Sequence, residues 1–124
     1  MRFLTFVRPT LSPGAPPPAV IEAVEDWAAE SARSGKLVDR GGLMPGARVR
    51  LSGGKVAVTD GPFTEAKEMI GGYAILELPS KQVAIEETVR LMELHKRHWP
   101  GWEGETEIRQ IFDPDFAQDA GGKA

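Results

Sequence analysis

The chain has 124 residues, 41% of them hydrophobic and 27% charged, with a net charge of -3 and no cysteine. That length allows one domain with one modest core. The acidic balance argues against a nucleic-acid partner, which calls for a basic stripe, and the lack of cysteine excludes disulfides and thiolate chemistry. Prolines at 9, 13, 16, 17 and 18 interrupt the N-terminal stretch, and no apolar run approaches the roughly 18 residues of a membrane span. A soluble, cytoplasmic protein without a signal peptide or membrane contact is therefore expected.

Arg2 to Arg8 reads as a strand with both faces partly covered, and Pro9 is expected to end it, since proline cannot donate to a ladder. A proline-rich loop follows. From Ala19 to Ser34, Val20, Val24, Trp27, Ala28 and Ser31 recur at helical steps. Pro18 suits the first helical position and Gly35 the left-handed stop. Leu37 to Gly46 reads as a glycine-broken connection. Ala47 to Leu51 alternates apolar with Arg48 and Arg50; Gly53-Gly54 makes a tight turn, and Val56 to Val58 return as the second strand of a hairpin.

Asp60-Gly61-Pro62 stops that strand, and Thr64 to Met69 predicts about one helical turn. Tyr73 to Leu78 is a strand whose core side carries Ala74, Leu76 and Leu78. Ser80 caps a second long helix that runs to Trp99, with Ala84, Ile85, Thr88, Leu91, Met92 and His95 on its apolar spacing. Trp102 to Glu105 is expected as a loop, and Thr106 to Phe112 as the last strand with Ile108 and Phe112 inward. Residues 1–113 would make the domain and 114–124 a disordered tail.

This order predicts an α+β fold: a ferredoxin-like split βαβ with an extra hairpin strand, and two long helices on one face of an antiparallel sheet. The uncovered sheet face would stay partly apolar, so a homodimer through that face is expected.

The run Val58-Thr59-Asp60-Gly61-Pro62-Phe63-Thr64-Glu65-Ala66-Lys67-Glu68, followed by Gly71-Gly72-Tyr73, resembles the YCII-related family in its DGPF-type members. The likeness takes in the first strand, Gly35 with its loop, the hairpin and Glu107-Ile108-Arg109. It implies a dimeric α/β barrel and no defined reaction. For the wider family it suggests a His–Asp pair in a cleft, and for some relatives a setting beside, or fused to, a sigma factor. The chain departs from the pattern. It has no histidine before His95, so only the Asp60 half of a dyad carries over. Gln110 follows Arg109 where many relatives have proline, and the loop after the first strand is rich in proline.

Asp60 is the first candidate, either as an acid or base in a cleft or as a residue that hydrogen-bonds the turn. Glu65 and Lys67 can bind an anionic substrate or simply be solvated. Arg109 can clamp a carboxylate or make an ion pair with Asp60 or Glu65, and Arg8 is a weaker candidate of the same kind. His95 is the histidine available to stand in for the missing partner of Asp60. Its spacing from His98 does not by itself make a metal site, and neither a metal nor a cofactor is expected. Trp99 and Trp102 read as core or interface packing, with ligand stacking the alternative. Two functions follow. One is a protein that binds a small polar or anionic metabolite in a cleft near Asp60, with acid/base catalysis by Asp60. The other is a non-catalytic regulatory or protein-interaction module, linked to a sigma factor.

Overall fold

A computed structural model describes residues 1–60 and 71–112. The elements in order are β1 (Arg2–Leu11), α1 (Pro18–Arg33), β2 (Leu37–Gly42), β3 (Ala47–Ser52), β4 (Lys55–Asp60), β5 (Gly72–Glu77), α2 (Lys81–His98) and β6 (Glu103–Gln110). Four strands form an open antiparallel sheet in the order β2-β5-β1-β6, and β3 and β4 form a separate two-stranded sheet. The fold is α+β, as expected, and the described strands form no closed barrel.

The helices cover the sheet face that bears Phe3, Ala74 and Leu76. These residues form one buried cluster with Trp27 and Ala28 of α1, Ala84 of α2, and Leu78. Burying Phe3, which is 1% exposed, contributes about 2–3 kcal/mol. Pro18 occupies the first helical position of α1, where its missing N–H costs nothing. The Ser80 hydroxyl accepts a 3.2 Å hydrogen bond from the Val83 N–H and satisfies one orphan donor of α2. The alternation read in the stretch after Gly72 holds, with Ala74, Leu76 and Leu78 all buried.

Four expectations change. Leu37–Gly42 is not a connection but the edge strand beside β5. Gly41 is there for close approach: a Cβ on it would lie 2.8 Å from the Tyr73 ring opposite it. The hairpin does not join the main sheet. It pairs Ala47 with Asp60 through Ser52 with Lys55, closed by Gly53 and Gly54 at φ 57° and 76°, as a two-residue turn of this hand requires. Pro9 does not end β1; the strand continues to Leu11 across an irregularity between Pro9 and Leu11, the kind of place where a sheet tolerates proline. Finally, β6 begins at Glu103 and ends at Gln110, before Phe112, which is 74% exposed rather than inward. The one-turn helix expected from Thr64 to Met69, and the tail from residue 114, lie outside the described residues.

Candidate active site

The inner sheet face loses side-chain volume row by row. Pairing registers Leu37, Leu76, Phe3 and Gln110 in one row, Arg40, Ala74, Thr5 and Ile108 in the next, and Gly42, Gly72, Val7 and Thr106 in the third. Beyond it Pro9 faces Gly104. Where the rows run out of side chain, a cavity of about 610 Å³ opens between sheet and helices. Thr5, Val7 and Pro9 form its floor with the backbone of the glycine pairs 41–42 and 71–72. Val24 and Trp27 of α1 and Leu91 and His95 of α2 wall it, and Trp99 and Trp102 complete the rim.

Each wall residue is placed by its own element. His95 Nδ1 lies 2.9 Å from the Leu91 carbonyl one turn earlier in α2. Its ring lies 4.7 Å from that of Trp102, tilted by 38°, and Trp102 stacks on Trp99 at 5.9 Å and 25°. Trp102 in turn lies over Gly104, where a Cβ would come within 2.5 Å of the indole. The indole N–H groups of Trp27 and Trp99 are buried and have no hydrogen-bond partner among the described residues. Arg40, from the edge strand, reaches α1 and donates to both oxygens of Glu25 at 3.0 and 2.6 Å. That fork holds the Glu25 carboxyl below the usual range and the Arg40 guanidinium above its own.

Of the residues singled out from sequence, His95, Trp99 and Trp102 line this cavity. Asp60 ends β4, exposed and opposite Ala47, and is not among the lining residues. Glu65 and Lys67 lie outside the described residues. Arg8 and Arg109 converge on one carboxylate on the other side of the sheet. Arg8 donates to Glu107 at 2.8 Å and Arg109 bonds the second oxygen, so the ion pair expected of Arg109 is made with Glu107. Both guanidiniums hold the Glu107 carboxyl below its ordinary range, the hydrogen bond from Arg8 being the largest single cause. The Arg8 guanidinium also lies 4.7 Å over the Phe6 ring. On the same face the Tyr73 hydroxyl donates to Asp39 at 2.8 Å, and that bond raises the phenol's pKa.

Trp27 and Arg40 are site residues that sequence reasoning missed. Trp27 was visible only as one apolar helical position among five, and Arg40 sat in a segment not recognised as a strand. Among the described residues, no group of three or more His, Cys, Asp or Glu is placed to hold a metal ion. No helix there is long and apolar enough to cross a membrane.

A two-layer α+β domain with an aromatic-walled cavity at one end of its sheet is the class this geometry defines. The model of the YCII-related domain matches residues 1–92, and the chain belongs to that family. Comparison with the curated proteins gives no match.

Proposed function

We propose that this YCII-related chain binds a small organic molecule in the cavity between helices and sheet. The observation that carries the reading is the lining: all three tryptophans of the chain and His95 meet at one opening of about 610 Å³. Small-molecule sites are typically concave, about 300–1,000 Å³, and apolar with a few placed polar groups. A buried donor without an acceptor costs about 1–3 kcal/mol, and a ligand that brings an acceptor to Trp27 or Trp99 recovers part of that cost. Proton transfer by His95, or by Asp60, is the chemistry such a site would support. Asp60 stays in the proposal because only residues 61–70 separate it from Gly71, which lines the cavity.

The strand order and both crossovers fit a ferredoxin-like split βαβ. On the outer sheet face Leu4, Phe6 and Ile75 form a half-buried apolar centre, with the Arg2–Glu77 and Arg8–Glu107 ion pairs around it. A homodimer would cover that centre. Sedimentation of wild type and Phe6→Glu tests this: a dimer that becomes a monomer supports it, and a wild-type monomer overturns it.

Binding is tested by a thermal-shift screen of a metabolite library on wild type, His95→Phe and Asp60→Asn. A ligand at 100 times its Kd stabilises by about 2.7 kcal/mol, several degrees for a domain of this size. A hit lost in a folded His95→Phe supports the cavity, and one lost only in Asp60→Asn moves the site toward the hairpin. If nothing shifts the wild type, the protein-interaction reading gains. One observation favours that second reading: Val49, Leu51, Val56 and Val58 share one face of the hairpin and are each 68–73% exposed.

A further inference from the structure

We infer that the occupant of this cavity is a flat ring system carrying a hydroxyl or N–H group that donates to His95 Nε2. The inference rests on the cavity being a binding site. It starts from the histidine. The Leu91 carbonyl 2.9 Å from Nδ1 can only accept, so Nδ1 carries the proton. In the neutral imidazole this leaves Nε2 with a free lone pair, and no partner for it is found among the described residues. His95 therefore asks its ligand for a donor.

The walls supply the second part. His95, Trp102 and Trp99 make a continuous run of rings at 4.7 and 5.9 Å. Trp102 is held in place from behind by Gly104. Rigid rings of this kind favour a flat partner that can stack offset or edge-on, over a puckered one of equal size. Arg40 supplies the third. It is the cation among the described lining residues, and both oxygens of Glu25 already occupy its fork at 3.0 and 2.6 Å. A carboxylate or phosphate ligand would have to displace Glu25, whereas a neutral donor needs nothing but His95. At about 610 Å³ the space holds a two-ring molecule with room for water.

The test uses naphthol, its methyl ether, which keeps the rings and loses the donor, and its fully saturated analogue, which keeps the hydroxyl and loses flatness. Calorimetry gives the affinities. The indole signals in a proton–nitrogen correlation spectrum give the location, since every tryptophan of the chain lines the cavity. Naphthol is expected to move the indole signals and to bind about tenfold tighter than its ether, the size of one net hydrogen bond. The saturated analogue should bind weaker than naphthol by a similar factor. In His95→Phe the preference for naphthol over the ether should vanish, and in His95→Gln, whose amide oxygen can accept, it should persist.

If the ether binds the wild type as well as naphthol does, the donor to His95 is wrong. If the saturated alcohol does, flatness is wrong. Either result, with the indole signals still moving, overturns the ligand class and leaves the cavity as a site. Indole signals that stay still with every probe overturn both. The wild-type comparison decides without any variant, so a His95→Phe that fails to fold does not rescue the inference.

Discussion

At the Phe3 end of the sheet, the central positions facing the helices carry side chains that interlock with them. Phe3, Leu76 and Leu78 meet Ala28 and Ala84, and all five are at most 3% exposed. At the Pro9 end the same strands present Gly42, Gly72 and Gly104. The helices do not close in to fill the gap; instead large side chains, Trp27, His95 and Trp99, stand around it. One end stabilises the domain and the other gives up packing to leave room. The difference lies in side-chain volume, because the antiparallel ladder runs unbroken from one end to the other on β1 and β5.

Two leucines separate the ends most sharply. Leu76→Ala removes a side chain that is 2% exposed and leaves a void in the packed end; it should cost about 3–4 kcal/mol in urea unfolding. Leu91→Ala makes the same chemical change on the wall of the existing cavity, where little new void is created. It should cost about 1–2 kcal/mol, mostly the transfer of the lost atoms. Equal losses would mean that the cavity end is packed as tightly as the other. Gly104→Ala adds a methyl where the Trp102 ring lies within 2.5 Å and the Arg8 carbonyl within 3.1 Å. The expected loss is about 1–3 kcal/mol, together with a moved Trp102 indole signal. An unchanged indole signal would show that the ring is not supported from Gly104.

Much of the packed end was legible in the sequence. The two-residue period after Gly72 puts Ala74, Leu76 and Leu78 on one side without any help from tertiary structure. The three- and four-residue steps of Val20, Trp27, Ala28 and Ser31 do the same for α1, and all four are buried. The open end was less legible, because it follows from register. Gly42 and Gly72 are 30 positions apart in sequence and become one gap only when β2 pairs with β5. A glycine pair also reads as a break rather than as a strand, so β2 itself was missed. Asp60 shows the converse. It stands in the most distinctive run of the chain, yet the structure puts it at the exposed end of a hairpin, and no periodicity tells on which sheet a hairpin will lie.

The middle row, Arg40, Ala74, Thr5 and Ile108, is the boundary between the two ends. Thr5 is buried and its hydroxyl donates to the Ala74 carbonyl at 3.1 Å. Thr5→Val keeps the shape and loses that bond, and should cost about 1 kcal/mol in the same unfolding experiment. A cost near that of Leu76→Ala would place the boundary further toward the Pro9 end. A negligible cost would mean that water from the cavity already reaches the Ala74 carbonyl.

The smallest effect lies on the outer face behind the cavity. Glu107 accepts from Arg8 and Arg109, and both hold its carboxyl below the ordinary value of 4.5. A depressed carboxyl contributes stability above its unfolded pKa and loses it as the pH falls through the folded one. The contribution of Glu107 is therefore complete at neutral pH, begins to fall below about 4.5, and is gone once the folded carboxyl is protonated. Because solvent still reaches the half-buried carboxyl and screens its ion pairs, Glu107→Gln should change the neutral-pH melting curve little and should flatten only the acid limb. An NMR titration of the Glu107 carboxyl checks the direction. Arg8→Leu should bring its midpoint up toward the ordinary value, and Arg109→Leu should do so by less, because the Arg109 side chain is 72% exposed against 31% for Arg8 and its charge is better screened by solvent. If Arg109→Leu has the larger effect, the exposed arginine of β6 rather than the half-buried one of β1 holds the carboxylate. The support behind the cavity end would then come from the edge strand alone.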